Sequence, residues 1–570
     1  MPSFTLALRT HFLSAALMFC AALTSPLGAG DEDAQWEGSV IVTLRGDLPL
    51  IGQQSWTNPF AEPLTRHQAN EQLRRALRAP EEHVVLDLSQ GFFPSLAAAE
   101  ELADTLRRRP EHKRVTVLLE NVSDAAMVIA AAADEVAMAE AGLIWISGLS
   151  MQVDHYTEML GKLGIRFAAV TSGEQKSAPE PLTLPEPSAA ALAEYRDLLG
   201  QIDESLLSLS ARDNLDTDAL RAARASAPQT SALAKQLGLI DRSVDPQSFF
   251  HQLQEPSRHL ESGGSAPDLE SFTGIMNWWR QMMSGPRQTR HPQVVAVVQW
   301  EGMIVDGEGD VHQGLIGAGE SVRLLEQLAD DSRVVAVVLR INSGGGSAGA
   351  SDRIYHAIRR LDAKKPVIAL FDDIAASGGY YLGIGARQIV AHQSTITGSI
   401  GVFAMLPDLS GTRSLLGIHR TTLRTDPRAD LFATNAIDDE RLAAMQAVVD
   451  DMDQRFRELV GQRRGLAPEA VKALAQGRIF GGNAAHKHGL VDALGTLPDA
   501  VELARNAAEI DRPLPLRIYP QRRGLADMLG LGPLAQLPPW LRHLAGLGGA
   551  GQNPIGEGQL WSWRALPQIR

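Results

Sequence analysis

The sequence repeats itself with a period of about 254 residues, and this duplication constrains the fold more than any other feature of the chain. Three pairs of segments show it: HVVLDLSQG (83–91) with VVLRINSGG (337–345), SDAAMVIAAAADEV (123–136) with SGGYYLGIGARQIV (377–390), and KLGIRFAAV (162–170) with LLGIHRTTL (415–423). The offset is 254 residues for the first two pairs and 253 for the third. A slow drift of this kind is typical of duplication followed by small insertions. We therefore expect two halves of one architecture.

Short runs rich in β-branched residues alternate with helical patterns in the second half. The runs are VVAVVQW (294–300), VVAVVLRI (334–341), PVIALFDD (366–373) and QIVA (388–391). Because none of them alternates polar with apolar residues, they are typical of parallel strands buried on both faces. Between them, Ile354, Ala357, Ile358 and Leu361 mark one face of a helix. The pattern predicts an α/β fold with a parallel sheet in each half.

The first thirty residues have the pattern of a secretory signal. Arg9 precedes an apolar run from Phe12 to Leu23, which is shorter than the roughly 20 residues of a membrane-spanning helix. We expect cleavage after Ala29 or Gly30 and export of the remaining chain. A short, uncleaved membrane anchor is the alternative.

Composition excludes several classes of function. The chain has 53 Lys and Arg against 67 Asp and Glu, a net charge of −14, which argues against a broad nucleic-acid-binding surface. Its single cysteine, Cys20, rules out an intrachain disulfide and the usual cysteine-ligated zinc and iron–sulfur sites.

The repeat and the local composition divide the chain into five segments. These are a signal peptide or anchor (1–30), an N-terminal domain (36–250), a linker (251–292), a C-terminal domain (293–510) and a tail (511–570). The linker contains FTGIMNWWRQMM (272–283), which we interpret as a helix packed on its own domain rather than as a membrane or substrate contact. The tail is apolar and rich in glycine and proline, and its sequence leaves its role open.

The segment DDIAASGGYYLGIGA (372–386) carries the strongest chemical signal. Ser377 follows a predicted buried strand, and Gly378 and Gly379 come next at the start of a predicted helix. Free backbone N–H groups and the helix dipole favour negative charge there, which suits a nucleophilic serine with an oxyanion site. The alternative is a structural serine N-cap with glycines for tight packing.

Two further segments are candidates for the same site. RINSGGGSAGAS (340–351) is another strand–turn–helix, whose amides suit an oxyanion or a phosphate. It has neither the Gly-Lys-Ser/Thr of a Walker loop nor a GxGxxG with a fitting acidic residue. In TITGSIGV (395–402), Thr397 and Ser399 are either structural turn hydroxyls or donors to the site.

The local pattern does not identify the base that would activate this serine. His356, His392 and His419 lie nearby in sequence, but none forms a recognisable Ser/His/Asp arrangement. The other option is a lysine whose pKa is lowered by burial to about 7–8. Spacing alone does not select that lysine.

Together, AASGGYYLGIGA, NSGGGS and TGSIGV resemble the signal peptide peptidase A (protease IV) family in its long, tandem-domain form. The resemblance covers about 36–510 and implies two ClpP/crotonase-like domains that form a serine–lysine peptidase. It implies that Ser377 is the nucleophile, that Lys176 within VTSGEQKSAPEPLT is the general base, and that Ser399 holds the lysine amine.

The resemblance also implies that the oxyanion amides are those of Gly378 and Gly345. The chain departs from the family pattern NSPGGS at Gly344, which replaces the proline and loosens the turn. The two glycines that follow Gly344 are present.

Each half has site residues that the other half lacks. Ala429 stands at the position of Lys176 in the second half, and Ser123 in the first half is followed by Asp124 and Ala125 instead of glycines. An aspartate at that position would repel an oxyanion. We therefore expect one site built across both halves, with Ser123 as a structural remnant.

The family resemblance implies the remaining properties. Substrates would be cleaved signal peptides and other apolar or unfolded peptides, bound without cofactor, metal or nucleic acid. The protein would be a homotetramer, associated with the bacterial inner membrane and facing the periplasm, or soluble in the periplasm after signal cleavage. A crotonase-like acyl-thioester enzyme and an inactive peptide-binding scaffold are the alternatives.

Overall fold

The structure, a computed structural model, covers most of both halves. It describes residues 38–52, 63–173, 175–253, 257–260, 293–426, 429–431 and 433–520. The predicted targeting segment, the 272–283 segment and the tail beyond residue 520 lie outside the described residues. No helix within the described ranges is both long and apolar enough to cross a membrane. The same ranges contain no group of three or more His, Cys, Asp or Glu suited to a metal ion.

The N-terminal half is a mainly parallel sheet flanked by helices. Its strands are β1 (Ser39–Thr43), β2 (His83–Asp87), β3 (Arg114–Ser123), β4 (Glu135–Trp145), β5 (Arg166–Thr171), β6 (Gln229–Thr230), β7 (Arg242–Val244) and β8 (Arg258–Leu260). Its helices are α1 (Arg66–Arg78), α2 (Leu96–Arg107), α3 (Asp124–Ala130), α4 (Thr157–Lys162), α5 (Glu180–Thr183), α6 (Ala189–Ser210), α7 (Thr217–Ala223), α8 (Ser231–Gln236) and α9 (Pro246–Gln252). The sheet order is β6–β4–β3–β2–β1–β8, with β7 paired to β4.

The C-terminal half repeats this arrangement. Its strands are β9 (Val294–Glu301), β10 (Met303–Val305), β11 (Leu315–Gly317), β12 (Val334–Ser343), β13 (Val367–Ala376), β14 (Gln388–Ala391), β15 (Ile396–Gly398), β16 (Phe403–Asp408), β17 (Ile479–Gly481), β18 (Ala493–Leu494) and β19 (Leu516–Tyr519). Its helices are α10 (Ala318–Asp330), α11 (Ala348–Asp362), α12 (Gly378–Gly383), α13 (Ser410–Leu415), α14 (Asp439–Arg464), α15 (Pro468–Leu474), α16 (Gly482–Lys487) and α17 (Leu497–Ala507). The sheet order is β17–β15–β13–β12–β9–β19, with β14 between β13 and β18.

Each sheet is buried on both faces, which explains why its strands lack polar alternation. Along β9, Ala296 and Val298 pack in the cluster that contains the apolar face of α11, whereas Val295 and Val297 pack with α17 on the opposite face. The four predicted apolar positions of α11 are all buried. The prediction of an α/β fold in two tandem halves is confirmed.

Both sheets extend further along the chain than the sequence predicts. The predicted domains end at residues 250 and 510, yet β8 pairs with β1 and β19 pairs with β9. Each added strand covers an otherwise open sheet edge. With three and four residues, these strands are too short to show a periodic pattern. The two sheets therefore reach residues 260 and 519.

One antiparallel ladder joins the halves. β5 of the first half pairs with β16 of the second, with Arg166 opposite Asp408 at one end and Thr171 opposite Phe403 at the other. β16 follows directly after the TITGSIGV segment, and β5 leads into the segment that contains the candidate lysine. The ladder therefore brings these two segments together.

Candidate active site

Ser377 lies in the sharp turn between β13 and α12. Its φ of +52° and ψ of −116° are values that L-residues rarely adopt and that persist only where the surrounding structure enforces them. Its hydroxyl makes no capping hydrogen bond to α12, unlike Ser347, which accepts from Ala350 N–H at 3.2 Å to cap α11. The alternative of a structural N-cap is therefore wrong for Ser377.

The glycines after Ser377 allow its turn to pack against the glycine-rich turn that follows β12. A Cβ atom on Gly378 would lie 2.7 Å from Ser351 Oγ. A Cβ atom on Gly379 would lie 2.4 Å from the Ser343 carbonyl oxygen, so this position has no room for any side chain. Because neither glycine has a side chain, the two turns can pack in direct backbone contact.

Lys176 reaches this turn from the N-terminal half. It lies between β5 and α5, and its residue is only 5% exposed. Its Nζ lies 3.1 Å from Ser377 Oγ, 2.8 Å from the Ser399 carbonyl oxygen and 2.9 Å from Ser399 Oγ. The second half also holds its backbone, since a Cβ on Gly477 would lie 2.6 Å from Lys176 Cα. The structure thus brings together an amine from one half and a hydroxyl from the other.

The environment of Lys176 favours its neutral form. Burial lowers the pKa of Lys176 to about 8, although the negative charges of Asp453 and Glu194 oppose this shift. A neutral amine has two N–H donors and one lone pair. Its two contacts with Ser399 use both donors, which leaves the lone pair for the proton of Ser377. The arrangement suits proton removal from a serine near pH 8.

The two candidate hydroxyls of the TITGSIGV segment occupy different environments. Ser399, which also has a positive φ of +51°, faces Lys176 Nζ with both its carbonyl oxygen and its hydroxyl. The buried Thr397 hydroxyl donates to the Ala375 carbonyl oxygen at 2.6 Å. Ser399 therefore belongs to the site, whereas Thr397 fixes β15 to β13.

None of the three histidines near in sequence hydrogen-bonds to Ser377 in the described part of the chain. His392 is fully buried, with Nε2 3.5 Å from Glu101. Burial alone would lower the pKa of His392, but Glu101 and further carboxylates raise it to about 9, so the ring is charged at neutral pH. His356 and His419 are exposed. The geometry gives no support to a histidine base.

Gly345 and Gly378, the two glycines expected to supply oxyanion amides, are adjacent. A Cβ atom on Gly345, whose φ is +110°, would lie 2.8 Å from the Gly378 nitrogen. The Gly345 N–H donates to Ser343 Oγ at 3.1 Å. An oxyanion at this position would compete with the Ser343 hydroxyl for the Gly345 amide.

A buried network of charges joins the two halves beside the site, and the motifs of the sequence did not reveal it. Arg66 of α1 donates to Asp372 and, at 3.1 Å, to Asp373, both on β13. Asp372 also accepts from Arg340 of β12, whose guanidinium lies 2.8 Å from Glu101 of α2. Apart from Asp373, these side chains are buried. The network ties the strand that leads to the serine turn to two helices of the other half.

The charges of this network are maintained by their partners. Burial alone would raise the pKa of Glu101, but Arg340 and His392 hold it at about 2. The sequence did indicate that Asp372 is buried, because this residue ends an apolar run predicted to be buried on both faces. A buried carboxylate requires a hydrogen-bonded or charged partner. The sequence contained no indication that this partner would be Arg66.

Both halves of the chain match a known family. The model of Peptidase family S49 matches residues 107–258 and 359–511. The chain is 29% identical over 525 residues to Protease 4 of Haemophilus influenzae, a match that covers 88% of this chain and 84% of that protein. It is 28% identical over 441 residues to Protease 4 of Salmonella typhi, covering 75% of this chain and 69% of that protein. A mutant ClpP1 structure from Listeria monocytogenes covers 40% of this chain and 99% of its own, at 14% identity and a TM-score of 0.24.

Proposed function

The chain belongs to peptidase family S49 and is a serine-type peptidase, and we propose that it is an endopeptidase in which Lys176 activates Ser377 as the nucleophile. The observation that carries this proposal is the buried Lys176 Nζ, 3.1 Å from Ser377 Oγ, with its two other contacts on Ser399. With a pKa of about 8, this amine is available as a base near neutral pH.

In the proposed reaction, neutral Lys176 takes the hydroxyl proton of Ser377 as Oγ attacks the carbonyl carbon of a peptide bond. The N–H groups of Gly378 and Gly345 stabilise the tetrahedral oxyanion, the latter after releasing Ser343 Oγ. The Lys176 ammonium then gives its proton to the departing amine, leaving an acyl-enzyme ester on Ser377. Water, deprotonated by the same lysine, hydrolyses the ester and restores the serine.

The proposed substrates are apolar peptides in an extended conformation, cleaved signal peptides among them. Phe403, which is 37% exposed and whose ring centroid lies 6.0 Å from Lys176 Nζ, offers an apolar surface beside the two reacting groups. The predicted signal segment supports export, which places the reaction on the periplasmic side of the inner membrane or in the periplasm. The family resemblance supports membrane association and a homotetramer as the assembled form.

The experiment that tests this function compares two lysine variants on a fluorogenic apolar peptide. Lys176→Met should lower kcat/KM by at least about 1,000-fold because the base is lost. Lys472→Met, which removes an exposed lysine of α15, should leave kcat/KM unchanged. A fluorophosphonate that modifies activated serines should label Ser377 in the wild type and in the control, and not in Lys176→Met. Equal turnover by the two variants would overturn the proposed role of Lys176.

A further inference from the structure

Helix α2 of the first half contacts the second half along one face. The positions on this face, which are spaced by three or four residues, are Ala97, Glu100, Glu101 and Asp104. The Ala97 N–H donates to Asp373 on β13 at 3.1 Å, and Asp104 accepts from the Thr496 hydroxyl at 2.8 Å. Between these two contacts, Glu100 binds the segment of the second half that leads into β15.

The Glu100 carboxylate is buried and accepts hydrogen bonds from three donors. Its Oε2 accepts from the Gln393 N–H at 3.0 Å, and its Oε1 accepts from the Ser394 N–H at 2.9 Å and from the Ser394 hydroxyl. Glu100 and Ser394 are each only 5% exposed. Hydrogen bonds to a buried carboxylate are strong because water screens its charge little. The partners are 293 and 294 residues apart, so this contact fixes one half against the other.

The segment that Glu100 binds is a bulge between β14 and β15. Phe371 of β13 pairs with Ala391, and Ile374 pairs with Ile396, so two residues of β13 lie opposite the four residues 392–395. Residues in a bulge lose the ladder partners of their backbone N–H groups, and these groups need other acceptors when they are buried. Glu100 is the acceptor for two of them, at positions 393 and 394.

The equivalent bulge of the first half is partly open to solvent. Leu119 of β3 pairs with Met138, and Asn121 pairs with Leu143, which leaves residues 139–142 opposite one residue of β3. Residues 140 and 141 are exposed, whereas 392, 394 and 395 in the second half are buried. The fold therefore accommodates this bulge without burying it. Its burial against α2 is particular to the half that contains Ser377.

β15 connects this bulge to both groups of the candidate site. The carbonyl oxygen of Gly398, the last residue of β15, accepts from the Ser377 N–H at 2.9 Å. The next residue, Ser399, contacts the Lys176 amine with its hydroxyl and its carbonyl oxygen. Because β15 is only three residues long, a displacement of Ser394 would move both contacts.

We propose that Glu100 is a positioning residue for the serine–lysine site. It fixes the bulge in the conformation in which Gly398 and Ser399 align Ser377 with Lys176, and it touches neither substrate nor the reacting atoms. The inference rests on the proposed function, because it concerns the alignment of the two groups in that reaction. The first half thus contributes a carboxylate as well as an amine to the site. A displacement of about 1 Å in such an alignment lowers the rate about 100-fold.

The test measures both the rate and the extent to which a fluorophosphonate labels Ser377. Glu100→Ala should lower the labelling rate and kcat about 100-fold, while KM for an apolar peptide changes less than about twofold. Labelling should still go to completion, because the serine is misaligned but present. Glu100→Gln, whose Nε2 would face an N–H donor, should give an intermediate rate, and it serves as the test if Glu100→Ala does not fold. Asp104→Ala, on the same face of α2, is the matched control and should keep the wild-type rate.

The extent of labelling separates positioning from a purely structural role. If Glu100 only stabilised the fold, its variants would lose labelled fraction in proportion to kcat, and the folded molecules would react at the wild-type rate. That result, or a wild-type kcat in both Glu100 variants, would overturn the inference. Rapid labelling of Lys176→Met would instead overturn the proposed function. No labelling of Lys176→Met beside wild-type labelling of Glu100→Ala would overturn this inference alone.

Discussion

The two halves share one sheet order but differ in the turn that follows their central strand. Ser123 and Ser377 occupy equivalent positions before α3 and α12. Ser123 has an ordinary φ of −103° and is followed by Asp124, whereas Ser377 has a φ of +52° and is followed by Gly378. The duplicated fold therefore places a serine at the same point in each half. Whether that serine can react depends on the two or three residues that form its turn.

The glycine-rich turn that packs against the Ser377 turn also differs from its equivalent in the first half. Gly346 of the second half bridges to Ile304, and a Cβ on it would lie 2.0 Å from the Ile304 carbonyl oxygen. In the first half Phe92 bridges to Gly46 in the corresponding way, and its ring is fully buried. At this position the first half therefore has a buried aromatic side chain where the second half has a glycine in direct backbone contact with Ile304.

The halves also differ in where charge is buried. Leu118 of β3 and Leu370 of β13, which occupy equivalent registers, both pack in apolar clusters. Two residues further along β13, Asp372 is fully buried and binds Arg66 of the other half. This aspartate makes the second half depend on the first for the partner of a buried charge. The comparison predicts that one half can lose its serine without effect, and that neither half tolerates loss of the shared charges.

The largest expected effect distinguishes the two serines. Ser377→Ala should lower kcat/KM for an apolar peptide by at least about 1,000-fold, because the nucleophile is lost. Ser123→Ala, at the equivalent turn, should leave kcat/KM within a factor of two of the wild type (a factor that is about 0.4 kcal/mol). The measurement is steady-state hydrolysis with both variants at matched concentration. A comparable loss in Ser123→Ala would mean that the first half has a working site of its own.

The next effect concerns the buried charges between the halves. Arg66→Met should lower the free energy of unfolding by about 3–5 kcal/mol, because it leaves Asp372 buried without one of its partners. Arg74→Met, on the same helix but in a partly exposed i,i+3 pair with Glu71, should cost less than about 0.5 kcal/mol. Urea unfolding followed by circular dichroism measures both. Similar values for the two variants would show that the network contributes little to the association of the halves.

The features that the sequence predicted are those with local signals. The strands of the second half were visible because uninterrupted apolar runs imply burial on both faces, and the two turns because their glycines are consecutive. The β8 and β19 edge strands were missed because three or four residues carry no period. The halves were therefore recognised as α/β units before their ends were known.

The candidate site was only partly predictable, because its groups are far apart in sequence. Lys176 and Ser377 are 201 residues apart, and no spacing rule marks a lysine that will be buried against a distant hydroxyl. The family resemblance supplied Lys176, whereas local pattern supplied Ser377 as a candidate. The Arg66–Asp372 contact has a separation of 306 residues and no motif, so it became visible only in three dimensions.

The pH dependence of turnover tests the amine of Lys176, whose equivalent in the second half is Ala429. If Lys176 is the base, kcat/KM should rise about tenfold per pH unit below pH 8 and level off above it, because its pKa is about 8. Asp453→Asn should move the midpoint to lower pH, since it removes a negative charge that favours the ammonium form. Glu458→Gln, on the exposed side of the same helix, serves as the control and should leave the midpoint unchanged. A profile without a midpoint between pH 6 and 9 would contradict a lysine base.

The smallest expected effect is on stability, at the two equivalent positions Lys176 and Ala429. Lowering the pKa of Lys176 from 10.5 to about 8 means that the charged amine destabilises the fold by about 3 kcal/mol at pH 7. Lys176→Met removes this cost but leaves the Ser399 oxygens without their donor, so the net gain in unfolding free energy should be about 1 kcal/mol. Ala429→Met, at the exposed equivalent, should change the free energy of unfolding by less than about 0.5 kcal/mol.

The same pKa shift makes the stability depend on pH. Between pH 8 and 10.5 the unfolded chain binds the extra proton, so wild-type stability should rise with pH there and Lys176→Met should lose that rise. Urea titrations at pH 7, 8.5 and 10 measure it, and a destabilised Lys176→Met with an unchanged slope would show that this amine is not buried in its charged form.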